Sequence, residues 1–287
     1  MKRSLYLASL VTIVSLGMSV PAFAQCPAGT LTGRWTFAAG NIVGQFVATQ
    51  AAAGFGGRLS IASTTVTGGM NVTRSDNDTG SFAFDPDCRG GLLYLNLAGL
   101  PIQWIFNIVP GGPFGTTLTL RSTAIPASPV SGPPYVTARV GTAWPAPTAC
   151  PVANPLNVLT GSPAFSLSGG VMAGTLLIGP QNLQVPSWLD PQGTFTATVT
   201  QQPPAPPAPN PYGLGPVARG FDPGTYTVTA DCTRATFYIY FDVPRPFFYD
   251  GYARRNTAGV ISFSVIAFGP IGNISSADFV PSAGTIN

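Results

Sequence analysis

The segment Gly80 to Cys88 reads Gly-Ser-Phe-Ala-Phe-Asp-Pro-Asp-Cys, and it returns at Gly224 to Cys232 as Gly-Thr-Tyr-Thr-Val-Thr-Ala-Asp-Cys. Glycine, hydroxyl, aromatic, apolar, aspartate and cysteine positions stay in register. The copies also open alike, with Cys26-Pro27 ahead of Leu31-Thr32-Gly33 and Cys150-Pro151 ahead of Leu159-Thr160-Gly161. Self-similarity over such a length reads as a duplication, which predicts two homologous domains. We place them at 25–144 and 150–287, with a connector at 145–149 and a signal peptide at 1–24. From Leu31 to Cys88 is 57 residues and from Leu159 to Cys232 is 73, so the second copy carries 16 more. They lie in QQPPAPPAPNPYGLGPVARGFDP, whose proline-rich part (202–216) predicts an extended surface loop, because proline cannot join a sheet interior.

Duplication also selects among the three ways of pairing four cysteines. Each ancestral unit had to close its own bridge, so Cys26 is expected with Cys88 and Cys150 with Cys232. Such bridges stabilise by roughly 2 to 4 kcal/mol each when unstrained, and they require an oxidising compartment. Export is independently expected from the amino terminus. Lys2 and Arg3 precede an apolar run from Leu5 to Val20, and Ala22-Phe23-Ala24 offers a small-x-small cleavage site before Gln25. Lipidation at Cys26 is disfavoured because Gln25 stands where a lipoprotein signal carries a small residue. No other segment is long and apolar enough for a transmembrane helix.

Apolar residues alternate with polar ones through Trp35-Thr36-Phe37, Leu59-Ser60-Ile61, Phe82-Ala83-Phe84 and Leu118-Thr119-Leu120 in the first copy. The second repeats the pattern through Phe165-Ser166-Leu167, Phe195 to Val199, Phe237 to Phe241 and Ile261 to Val265. A period of two means strands with one buried face. Eight or nine short strands are expected between Leu31 and Val140, the last at 135–140, with turns at Gly90-Gly91, Ala98-Gly99 and Gly111-Gly112. Leu92 to Leu95 and Ile102 to Phe106 are apolar on both faces, which predicts central strands or a domain interface. Alternation alone leaves barrel and sandwich open.

The Gly-Thr-Tyr-Thr-Val-x-x-Asp-Cys-Thr string, the Leu-Thr-Gly opening and Tyr252-Ala253-Arg254-Arg255 together resemble a group of uncharacterised exported bacterial proteins that are similar to calycin (lipocalin-like) barrels. The resemblance implies an all-β chain of two tandem antiparallel barrels, with β-sandwiches as the alternative. It brings no catalytic residues with it.

Composition narrows the chemistry. From Gln25 onward there are eleven Arg and ten Asp, and no Lys, Glu or His. A net charge of +1 gives no electrostatic footprint for nucleic acid. The missing residue types exclude serine–histidine and cysteine–histidine nucleophiles, imidazole proton transfer, Schiff-base lysine chemistry and glutamate acids. Aspartates remain, and Asp85, Asp87, Asp231, Asp242 and Asp250 are candidates for a carboxylate-based hydrolase. Against that, Asp87 and Asp231 precede the bridging cysteines, where a carboxylate fixes a turn. Asp76, Asp78 and Asp87 are candidate Ca²⁺ ligands, although the Asp76 to Gly80 spacing fails the EF-hand rule and equally reads as a hairpin turn. Arg245, Tyr249, Tyr252, Arg254 and Arg255 combine cations with rings that could stack a saccharide or grip an anion. The expectation is an exported, non-catalytic binding or interaction module without a cofactor, its ligand small and apolar or saccharide. The alternatives are a self-assembling surface protein, hence a homo-oligomer, and an aspartate hydrolase.

Overall fold

In β5 (Gly90–Leu97), Leu93, Leu95 and Leu97 are buried while Tyr94 and Asn96 face solvent, and β7 (Thr117–Ser122) follows the same rule. Each strand has one wet face, so its other face needs a shared interior. The computed structural model describes residues 26–27, 29–40, 42–50, 55–67, 71–97, 99–122, 140–160, 162–167, 172–179, 193–201, 219–239, 247–270 and 283–286. The expected signal peptide (1–24), the proline-rich loop (202–216), Asp242 and Arg245 lie outside them. Among the described residues no helix is long and apolar enough to cross a membrane.

The first sheet comprises β1 (Gly33–Ala39), β2 (Ile42–Gln50), β3 (Gly56–Thr67), β4 (Asn71–Phe84), β5, β6 (Leu100–Val109), β7 and β8 (Val140–Pro145). The second comprises β9 (Ala164–Leu167), β10 (Met172–Ile178), β11 (Gly193–Gln201), β12 (Arg219–Val228), β13 (Arg234–Ile239), β14 (Phe247–Arg255), β15 (Ile261–Pro270) and β16 (Ala283–Ile286). Each strand pairs antiparallel with its successor, β8 returns to β1, and β16 returns to β9 through Thr285 opposite Ser166 and Ile286 opposite Phe165. Both sheets therefore close, and closure removes the free edges a sandwich would leave.

The interiors are filled by rings. Phe37 stands edge-on to Trp104 at 5.3 Å and beside Phe46 at 6.1 Å, with Phe106 buried in the same core. In the second barrel Phe237 contacts Phe263 at 5.9 Å and Tyr226 at 6.2 Å. The Tyr226 hydroxyl donates to the Leu156 carbonyl at 2.9 Å, so its one polar atom is satisfied on a single 3-10 turn, Pro155–Val158.

The repeated Asp-Cys string is one turn built twice. Cys88 N–H donates to the Asp85 carbonyl and Asp85 N–H to that of Gly90; Cys232 N–H donates to Thr229 and Thr229 N–H to Arg234. Cys88 and Cys232 both take the left-handed conformation, at φ 58° and 57°. Disulfides join Cys26 to Cys88 and Cys150 to Cys232, the pairing the duplication requires.

Several local expectations are corrected. Asp76 to Gly80 is not a hairpin turn: it lies inside β4, where a register shift opposite Ile61 and Ser63 marks a bulge. The bulge admits extra residues without ending the strand, which turn-forming composition cannot distinguish from a reversal. Gly90-Gly91 likewise opens β5, pairing with Asn107 and Phe106; a Cβ at Gly91 would lie 1.9 Å from the Ala83 carbonyl, so close strand approach fixes the glycine. The last strand of the first barrel is Val140–Pro145, with Gly141 to Pro145 paired to β1, so the barrel reaches one residue into the connector placed at 145–149; of the strand expected at 135–140, residues 135–139 lie outside the described residues. Barrel closure demands that partner for β1.

Candidate functional site

Two outer surfaces carry the residues of interest. Alternation in β1 to β3 turns Trp35, Phe37, Phe46 and Ile61 inward, leaving Arg34, Thr36, Val43, Gln45, Ala62 and Thr64 pointing out. In β13 to β15 the outward set includes Arg234, Asp250, Tyr252, Arg254, Ser264 and Ile266. These two faces meet. Val43 and Ile266 are wholly buried with Tyr252 in a small apolar cluster flanked by Ala38 and Ala62, although each points away from its own barrel.

Polar bonds frame the cluster. Gln45 donates from Nε2 to the Thr233 carbonyl at 2.9 Å and to Ala253 at 3.2 Å, and the Thr36 hydroxyl donates to that same Ala253 carbonyl. Asp250 is fully buried, and Arg74 grips it from the first barrel, Nε at 2.6 Å from Oδ2 and Nη2 at 2.9 Å from Oδ1. Thr64 donates to Oδ2 at 3.0 Å, and Arg234 approaches at 3.5 Å while pairing with Asp76 at 2.8 Å. A carboxylate removed from water needs this many donors. At the far end Arg254 lies 4.9 Å from both the Phe114 and Trp144 rings and donates from Nε to Ser262 at 2.8 Å. Burial lowers its pKa to about 10, leaving it charged at neutral pH. Burial likewise pushes the Tyr252 hydroxyl up to about 12, against the opposing pull of Arg234.

The seam thus absorbs much of what the sequence nominates for binding. Tyr252 and Arg254 come together there, while Tyr249 points into the second core and Arg255 is exposed. The proposed calcium ligands are not gathered: Asp76 pairs with Arg234, and Asp87 accepts from Arg89 N–H at 3.1 Å. Among the described residues no three metal-ligating side chains cluster. Asp231 fixes its turn, accepting from Thr229 and Thr233 hydroxyls at 2.8 and 2.7 Å, and it pairs with Arg34 at 2.9 Å. Burial works against its charge, but the bonds from Thr233, Thr229 and Arg34 win and hold the carboxyl at about 2.

The second surface is the outer face of β4 to β6. Tyr94, Ile105 and Val109 are 44%, 38% and 42% exposed. Beside them runs a groove of ≈ 490 Å³ lined by Thr79, Ser81, Tyr94, Asn96, Pro101 and Gln103. Among the described residues no charged side chain lines it. The apolarity of Leu92 to Leu95 and Ile102 to Phe106 on both faces flagged these strands for a domain interface; the contact between the barrels instead uses β1 to β3, and this face stays open. Arg74, Gln45, Thr64, Phe114 and Trp144 escape a reading of the sequence, because their contacts across the seam join residues far apart in the chain. Comparison with protein families and with curated proteins finds no match to the chain.

Proposed function

We propose that the chain is an exported, non-catalytic interaction module of the calycin type that works through the outside of its barrels. The observation carrying this reading is the open apolar patch of Tyr94, Ile105 and Val109 next to an uncharged groove, on a molecule whose interiors are occupied by rings. Exposed apolar surface grouped on one sheet face marks a place of contact. Two disulfides fit an oxidising compartment outside the cytoplasm. The ring-filled interiors favour contact at the surface over a carrier for a small apolar ligand. Asp250 and Asp231 are engaged in ion pairs, which weighs against a carboxylate pair poised for hydrolysis.

The test uses the purified protein and anilinonaphthalene sulfonate as a probe of exposed apolar surface, at the lowest workable protein concentration. Dye fluorescence is expected with the native protein and is expected to fall in the Tyr94→Ser/Ile105→Ser double variant while its circular dichroism is unchanged. Equal fluorescence from both proteins would remove the outer face from the argument. Stoichiometric retention of a small molecule in native mass spectrometry would make the protein a carrier instead. Turnover of glycosides or esters that an Asp→Asn substitution abolishes would make it an enzyme.

A further inference from the structure

The contact between the barrels joins unlike faces, β1 to β3 of the first to β13 to β15 of the second. Strand register sets the barrels in correspondence. Phe37 opposite Gly44 matches Phe165 opposite Gly174, and Leu93 opposite Trp104 matches Phe237 opposite Tyr249. The counterpart of β13 to β15 is therefore β5 to β7, and that of β1 to β3 is β9 to β11. Among the described residues those counterparts are two faces that do not meet each other. A contact between unlike faces does not satisfy itself, and in identical units it propagates.

Residues at corresponding positions differ on both faces. Ile105 stands where Asp250 stands in the seam, Val109 where Arg254 stands, and Gly90 where Arg234 stands. On the opposing face Thr175 replaces Gln45 and Ser162 replaces Arg34, with Leu177 at the place of Val47. Ile105 and Val109 are thus exposed apolar side chains at places that are charged in the buried face, the reverse of what solvent alone would favour, while Asn107 and Arg121 take the places of the buried Tyr252 and Ile266. Both open faces thus lack side chains that bond across the seam, Asp250 and Arg234 on one and Gln45 and Arg34 on the other, while Asp87 keeps the place of Asp231 and Thr200 that of Thr64. Leu177 is 60% exposed, among small neighbours such as Ala164 and Thr175. Arg121, at the place of Ile266, is the cation on the β5 to β7 face; the corresponding position to Ala62 in the opposing face is the hydroxyl-bearing Thr198.

We propose that copies of this chain associate head to tail, the outer face of β5 to β7 in one copy seating on the outer face of β9 to β11 in the next. This rests on the outer-face reading above and names the partner as a second copy. Each addition leaves the same two faces free at the ends, so the product is a ring or a filament rather than a symmetric dimer.

Sedimentation velocity and light scattering on the purified protein across two decades of concentration test it. Mass is expected to grow with concentration beyond two chains. Ile105→Asp removes one face and Leu177→Asp the other, each weakening association at least about tenfold, or about 1.4 kcal/mol. Each variant alone is expected to run as a single chain, with its melting temperature showing that it folds. Mixed, they are expected to form a complex of two chains and stop, because each supplies the face the other lacks. A native protein of one-chain mass at every concentration overturns the proposal, and so does a mixture that fails to pair. If the dye result of the preceding section still holds in that event, the outer face serves a different partner; if both fail, the outer-face reading falls with it.

Discussion

At the residue scale, Asp250 and Asp231 show two ways in which one carboxylate is held. Asp250 is sealed from water and met by a bidentate arginine from the other barrel. Removing the carboxylate returns Arg74, itself 44% exposed, to water, so the cost is that of the lost charge-assisted hydrogen bonds, about 1.5 to 3 kcal/mol. Asp250→Ala is expected to lose stability of that order in urea unfolding. Arg74→Ala is expected to cost at least as much, because the carboxylate stays buried and keeps Thr64 and the more distant Arg234. Asp231 is half exposed and held by hydroxyls and Arg34, and its pKa falls from 3.8 to about 2. A carboxyl whose folded pKa is depressed adds stability above its unfolded value and loses it as pH falls through the folded one. Urea midpoints of the native protein should therefore drop between pH 4 and pH 2, and Asp231→Asn should start lower at neutral pH and drop less across that window.

At the scale of elements, the turn before β5 and β13 carries the repeated sequence into structure. Its left-handed residue is a cysteine in both barrels, at a φ that costs an L side chain about 1 to 2 kcal/mol. If the turn's own hydrogen bonds impose that φ, the strain persists without the disulfide. The Cys26→Ala/Cys88→Gly variant is then expected to be about 1 kcal/mol more stable than Cys26→Ala/Cys88→Ala, measured by urea midpoint under non-reducing conditions. These strands were legible because the period of two in Leu93-Tyr94-Leu95 and Phe237-Tyr238-Ile239 states directly which side is buried. The cystine pairs were legible from the repeat. Bulges were not: Asp76-Asn77-Asp78 has turn composition, and only its partners Ile61 and Ser63 reveal that the strand continues. Nor could local pattern identify the seam, since Val43 and Gln45 sit at outward positions that alternation assigns to solvent, and their burial depends on a face more than 180 residues away.

At the scale of the whole molecule, the two barrels are tethered, so their contact need not be strong. A short connector gives an effective concentration of the order of millimolar, which about 4 kcal/mol of contact energy is enough to match. The seam buries one small apolar cluster, and its polar bonds exchange with water and return about 1 kcal/mol each, more where a charge takes part. Losing about 1.5 to 3 kcal/mol at Asp250 is expected to part the barrels, while leaving each ring-packed interior and its disulfide intact. The native chain is expected to melt in one calorimetric transition, because opening either barrel also exposes Val43, Tyr252 and Ile266. Asp250→Ala is expected to melt in two transitions, with a larger radius of gyration by small-angle scattering below the first. Asp231→Asn, whose Arg34 partner lies at the exposed rim, should keep a single transition. A single transition and an unchanged radius in Asp250→Ala would mean that the apolar cluster of Val43, Tyr252 and Ile266 holds the barrels together without the carboxylate.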